Sequence, residues 1–560
     1  MNIPDRGDAA ASSLGLRSQP PRIAGFLPLA VLFVLLAVEF SVFDQIGARQ
    51  HTKVYPRWND QIQYLTEAYL AHEHAKEHGL LSAVRLTLTN PSAQGTVHDL
   101  YAVLTFAVAG PSRSAALALN MLALIAWQIA LFFTIRRVSA SAWMGLLAAL
   151  LPLALVGPWR AAPGSAYDFR LDHLLMCTLG VTTCVALLTD AFRSRGWSLA
   201  FGLAVGVTLL TRFLSGTYFA LIFVGALVWI LFGSDRGRRS ANLLIAGAAA
   251  FLLASPVFWL NRDWIWNYYW IGHYVGPESA IRSQNFGLGQ SVDFVARFLQ
   301  GEHLGSFFIV VAVVASVVVL RLRQSPSRAT RGSLELIGAL FLLAPALILT
   351  LHAQKSSVVL GALVPGLITL LVGIWIRWLG RGTEARVFPL IVVALTFLCA
   401  IHFVRVQNTP VLDPASEAQL RHVTRFGEVL ASQAAAAGIA SPRVAVDHVT
   451  DAFDGQVLRV TAYERLQSWI SFQMTLPTGI AEPTEAEVME RLQASDFVFV
   501  TMDSPGINFP YDRKLAEMNP RIQAWCREHL VEAERFSLYG RTIALYQLRT
   551  IPLTDPRRQD

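Results

Sequence analysis

Apolar runs of about twenty residues recur along this chain from Ile23 to Val404 and then cease. Wound as a helix, a run of that length matches the hydrocarbon thickness of a bilayer, where the backbone must satisfy its own hydrogen bonds. The chain is therefore expected to be a polytopic α-helical membrane protein. Measured against that length, about eleven transmembrane helices are expected. They lie at 23–43, 115–135, 141–159, 171–192, 197–211, 216–233, 240–260, 305–322, 333–352, 356–379 and 387–404. With 54% hydrophobic and 15% charged residues among 560, the composition excludes a soluble globule.

Arg17 and Arg22 precede the first run, and Glu39, Phe40 and Asp44 follow with no small-residue cleavage site, which predicts a retained anchor after a cytoplasmic tail at 1–22. Arginines then mark alternate connections: Arg136 and Arg137, Arg193 and Arg195, Arg236 to Arg239, Arg321 to Arg331, and Arg377 to Arg386. The positive-inside rule places these in the cytoplasm. The net charge of +7 then follows from topology, with no nucleic-acid partner required. Every long polar segment falls on the opposite side: loops 44–114 and 261–304 within a membrane domain of 23–404, and a tail of 405–560. Cys177, Cys184 and Cys399 lie in apolar runs and Cys526 stands alone, so packing is expected of them and no disulfide framework.

The tail changes character. Residues 443–447, 496–501 and 541–548 read as strands and 514–530 as a helix, a soluble α/β domain on the outer, periplasmic face. It carries no Walker sequence, no strand-linked GxGxxG and no metal-finger spacing.

The chemistry-bearing candidates lie on the outer side. Asp60, in Trp58-Asn59-Asp60-Gln61, opens a charged helical stretch just after the first span. Four lysines stand against 42 arginines, and Lys355 is the one lysine among the later spans, in a short outer turn. An ammonium there suits a phosphate oxygen or snorkels to the headgroups. Arg212 sits between two apolar runs at the outer interface, where a charge is costly and functional by default. Asp168 and Asp172 open a span from the second outer loop, as substrate-orienting acids or helix caps. His72, Glu73, His74, Glu77 and His78 read mainly as a solvated helix face, with zinc ligation the lesser reading. Trp264 to Trp270 form an interfacial aromatic run, Asn285 to Gly289 a flexible lid segment, and Arg282 a further cation for a phosphate.

Asp60, Gln61 and Tyr64, in the order Asp-Gln-x-x-Tyr, resemble the Asp-Glu-x-x-Tyr signature of the GT-C glycosyltransferases. Within them the chain is similar to the branch of protein O-mannosyltransferases and lipid A aminoarabinose transferases. His98-Asp99-Leu100-Tyr101 resembles that branch's His-Pro-Pro-Leu-Tyr, Leu210-Thr211-Arg212 its Leu-Thr-Lys, and Lys355 with Pro365 its Lys-x-x-Tyr-x-x-Pro-x-x-Pro. Gln61 stands where the family has glutamate, Asp99 where it has proline, and the tyrosine after Lys355 is missing. The resemblance covers about 23–404 and implies a GT-C-like membrane domain.

It also implies a sugar donor carried on a polyprenyl phosphate, consistent with the missing nucleotide motifs. Asp60 is the implied base, and Arg212 and Lys355 the phosphate-facing cations. Tyr64, His98, Asp168, Asp172 and Arg282 are the implied substrate-binding set. No cofactor is obligatory, and the resemblance leaves room for a divalent cation without assigning its ligands. The acceptor is a glycan, lipid or protein, and membrane lipids surround the spans. Arginine-heavy usage points to a bacterial inner membrane. Two other classes compete: a transporter, which should show ionisable residues at span centres and repeated halves, and a non-catalytic scaffold of polysaccharide export.

Overall fold

The structure is a computed structural model that describes residues 26–548 apart from 54–58, 161, 276–278, 280–286, 323–332, 353–354, 380–386, 410–413, 440–441, 448–454, 468, 470, 475–483, 504–511 and 539–540. Each apolar run expected as a span carries helix. These are α1 (Leu27–Arg49), α5 (Arg113–Ser139), α6 (Ala142–Leu150), α7 (Leu171–Leu188), α8 (Arg195–Thr211), α9 (Ser215–Leu231), α10 (Arg236–Trp266), α12 (Gly305–Arg321), α13 (Ser333–Leu351), α14 (Val364–Leu379) and α15 (Val387–Gln407). Among the described residues seven helical segments are long and apolar enough to cross a bilayer alone, or eight if the bent pair α11 (Leu288–Arg297, extended to Gly301) and α12 is one span. The expected count was higher because three runs are cut short. Pro152 turns the end of α6 into a 3-10 helix, and Arg212 with Phe213 and Leu214 breaks the run between α8 and α9.

Between α1 and α5 lie three helices that do not belong to the bundle of spans: α2 (Asn59–His78), α3 (Leu80–Thr89) and α4 (Val97–Ala109). Good helix formers (Gln, Leu, Glu, Ala, Lys) build α2. It ends at Gly79, whose φ of 83° glycine adopts without side-chain strain. Ile62, Leu65, Ala68 and Tyr69 form its buried face, packed against α4. The expected outer loop is thus a helical shelf. At the other expected loop, α10 continues as a π-helix, Asn267–Val275, that carries much of the aromatic run.

Beyond α15, helix α16 (Pro414–Ala436) leads into β1 (Arg443–Val446), α17 (Gly455–Leu466), β2 (Ser471–Met474), α18 (Glu485–Gln493), β3 (Phe497–Thr501), α19 (Asp512–His529), β4 (Leu530–Leu538) and β5 (Arg541–Leu548). The five-stranded sheet has the order β2-β1-β3-β5-β4, parallel across β2, β1 and β3 and antiparallel from β3 to β4. The parallel strands β1 and β3 are apolar runs because both faces are covered. The unforeseen β4 is an edge strand that mixes Glu532, Glu534 and Arg535 with apolar residues, so its pattern hides the strand.

Helix α17 joins this domain to the shelf. The Tyr69 hydroxyl donates to Glu464 at 2.9 Å, Arg113 Nη2 lies 3.4 Å from the same carboxylate, and the Tyr463 hydroxyl donates to Glu73. Arg113 also donates to the Thr52 carbonyl at 3.2 Å, so one carboxylate gathers α2, α5, α17 and the chain leaving α1. Glu464→Ala removes the charge facing buried Arg113 and should cost about 1.5–3 kcal/mol. Thermal unfolding in detergent should show the loss, with Glu464→Gln, which keeps an acceptor for Tyr69, losing less.

Candidate active site

Asp60 is the second residue of α2, an acid in the first turn where the helix dipole favours it. Its side chain is 54% exposed. Gln61 points inward, 4% exposed, and its Oε1 accepts the Phe169 amide at 3.1 Å. That bond seats the loop before α7 against α2 and delivers Arg170 to Asp60. Arg170 Nη1 lies 3.1 Å from Asp60 Oδ2, and its Nε lies 2.9 Å from Asp168 Oδ2.

Asp168 is enclosed. It accepts the Gly164 amide at 2.7 Å, while Asn120 holds the carbonyls of Ala166 and Asp168 at 3.1 and 3.0 Å. Burial pushes its carboxyl up to about 7, against the pull of the Arg170 guanidinium and the Gly164 amide. One turn on, buried Asp172 faces Arg212 Nη2 at 3.4 Å. Arg212, 7% exposed, also donates to Gln94. The segment bearing Gln94 is pinned to the end of α8 by Thr96 N to Leu210 O at 2.9 Å and Phe213 N to Gln94 O at 2.8 Å. At Gly95 a Cβ would overlap the Thr211 carbonyl, so only glycine permits this approach.

Tyr64, one turn after Asp60, is buried, and its ring meets His98 edge to face at 4.6 Å. Burial raises its hydroxyl well above the usual range, with Arg212 opposing and Asp60 adding to the rise, so it stays a donor. His98 Nε2 lies 2.8 Å from Asp99 Oδ1. Glu67, His98 and Asp99 bring their ligand atoms within 4.8 Å of one another and are the group among the described residues able to hold a divalent cation. Glu67 is held up at about 7 by burial and the Asp99 charge, against the pull of His98 and of the Gln63 hydrogen bond. The zinc reading of the α2 histidines gains no such grouping: His74 and His78 meet edge to face at 4.6 Å, but His74 Nε2 lies 2.8 Å from the Ser82 hydroxyl.

Asp60, Tyr64, His98, Asp168, Asp172 and Arg212 therefore converge. Lys355 stands apart in its contacts: its ammonium donates to the carbonyls of Thr350 and His352 at the end of α13, and burial lowers its pKa. These partners are those of a helix C-cap. Arg282 and the lid residues Asn285 and Phe286 lie outside the described residues. Sequence reasoning passed over Arg170, Gln94 and Glu67. The alternation Asp168-x-Arg170-x-Asp172 beside an apolar run was the available signal for the first.

The raised carboxyls have a direction in pH. A carboxyl whose folded pKa lies above its unfolded value favours folding while protonated, and loses that contribution as pH climbs toward the folded value. Stability of the detergent-solubilised chain should fall between about pH 4 and 7. Asp168→Asn and Glu67→Gln, which stay neutral, should each flatten that slope in thermal unfolding scans.

No family model and no curated protein matches this sequence. Solved structures do. ArnT from Cupriavidus metallidurans bound to undecaprenyl phosphate superposes with a TM-score of 0.59 at 14% identity, covering 94% of this chain and 98% of that one. The same protein in its apo state gives 0.60 at 13% identity, again over 94% and 98%. Both superpositions cover nearly the whole of each chain. The chain thus has the GT-C glycosyltransferase fold over nearly its whole length, as Asp60, Gln61 and Tyr64 led us to expect.

Proposed function

We propose that this chain is a membrane glycosyltransferase that moves a sugar from a polyprenyl-phosphate donor to an acceptor hydroxyl at the outer face of a bacterial inner membrane. The observation that carries the reading is the half-exposed carboxylate of Asp60 placed, on this fold, beside the Arg170–Asp168 and Arg212–Asp172 pairs. Asp60 takes the hydroxyl proton as that oxygen bonds to the anomeric carbon. The bond from that carbon to the phosphate oxygen breaks on the opposite side, so the anomeric centre inverts. Polyprenyl phosphate leaves with one more negative charge, which Arg212, Lys355 and Arg282 stabilise. Tyr64 and His98 shape the sugar side of the site, and Asp168 and Asp172 keep the guanidiniums in place. The acceptor is a glycan, lipid or protein. The domain of 405–560 stands on the same side of the membrane and holds the shelf through α17.

That the solved ArnT binds undecaprenyl phosphate supports this donor class. The test is release of polyprenyl phosphate from synthetic polyprenyl-phosphate sugars by the reconstituted full chain. Release that is equally fast in Asp60→Asn overturns the assignment.

A further inference from the structure

Two guanidiniums face the candidate site, and they differ in what it would take to redirect them. Arg212 and Asp172 are both buried, and Arg212 is held by Gln94 as well. Arg212 can stabilise a phosphate only from where it stands, because pulling it away from Asp172 would strand a carboxylate in the interior, which is strongly unfavourable. Arg170 is placed otherwise. Its Nε faces Asp168, which is wholly buried, and its Nη1 reaches outward to Asp60, which is more than half exposed. An ion pair with one partner in water contributes little. Arg170 can release Asp60 to solvent and stay anchored through Nε on the Asp168 carboxyl, with Nη1 turned to a new anion. A guanidinium anchored at one edge suits two oxygens of a phosphate.

The same contact bears on Asp60. With Oδ2 facing Arg170 at 3.1 Å, only part of the carboxylate is open to an acceptor hydroxyl. We infer that Arg170 is a donor-phosphate ligand, and that the phosphate competes with Asp60 for it, so that donor binding frees the base and precedes acceptor binding. This rests on the polyprenyl-phosphate reading above. It moves no covalent bond: one anion replaces another at the guanidinium, and Asp60 gains water or the acceptor hydroxyl.

The inference makes a prediction opposite to that of a simple contact list. If Asp60 competes with phosphate, Asp60→Asn should bind undecaprenyl phosphate more tightly than the wild type, by about three- to five-fold, the value of an exposed ion pair. Arg170→Gln should bind it about 10- to 100-fold more weakly, as expected for losing a charged donor. In the double variant Asp60→Asn should bring no gain, because the contested cation is gone. The measurement is equilibrium binding of undecaprenyl phosphate to the full chain in detergent. Arg170→Gln also leaves Asp168 without its guanidinium, so it is made in an Asp168→Asn background if it does not fold alone. A wild type that binds the lipid while Asp60→Asn binds it no more tightly overturns the exchange. A wild type with no affinity for the lipid overturns the donor reading and the exchange with it.

Discussion

Asp60→Asn is expected to reduce sugar transfer by about 10²- to 10⁴-fold, the contribution of a positioned general base. The amide keeps the size of the carboxylate and its place in the first turn of α2, but it cannot accept the proton. Folding should hardly change, because the ion pair with Arg170 that it loses has its Asp60 side in water. Thermal unfolding should therefore stay close to wild type while product formation collapses, and the two readouts together separate a lost base from a lost fold. Product analysis on the residual activity should still show inversion. A variant that transfers sugar at the wild-type rate removes Asp60 from the chemistry.

Arg212→Met is expected to produce the largest loss of stability of any single change at the site. Asp172 is 5% exposed and its Oδ1 faces Arg212 at 3.4 Å. Removing the guanidinium leaves a carboxylate in the interior without its counter-charge, a change worth about 3–5 kcal/mol. It also frees the Gln94 segment that Arg212 holds against the break between α8 and α9. Adding Asp172→Asn should restore most of the stability, since the interior then holds no net charge. Yield of the monodisperse chain and its thermal midpoint check both steps. The folded double variant then isolates function: transfer lost there assigns Arg212 to the phosphate, and transfer retained makes it a structural pair.

Much of this molecule was open to reading from one dimension. Span positions follow from apolar length, because lipid leaves the backbone no choice but helix. The C-terminal strands at 443–446, 497–501 and 541–548 announce themselves by buried apolar runs or alternation, and α19 by its period. The strand at 530–538 did not, because an edge strand tolerates charge. In the site, Asp60, Asp168, Asp172, Tyr64, His98 and Arg212 could be named from residue type and position. Lys355 could be named too, but its ammonium is found on the last carbonyls of α13.

By itself, then, the sequence determined a helical membrane chain and named its candidate acids and cations, since hydrophobic length and residue chemistry are local properties. Only the tertiary structure decided the pairing. Gln61, read in one dimension as a departure from a glutamate, is the residue whose carbonyl oxygen seats the segment just before α7 on α2. That contact spans more than a hundred positions and carries Arg170 to Asp60. Which guanidinium is buried with a partner, and which keeps one hand in water, depends on how distant segments meet, and no local pattern encodes that meeting.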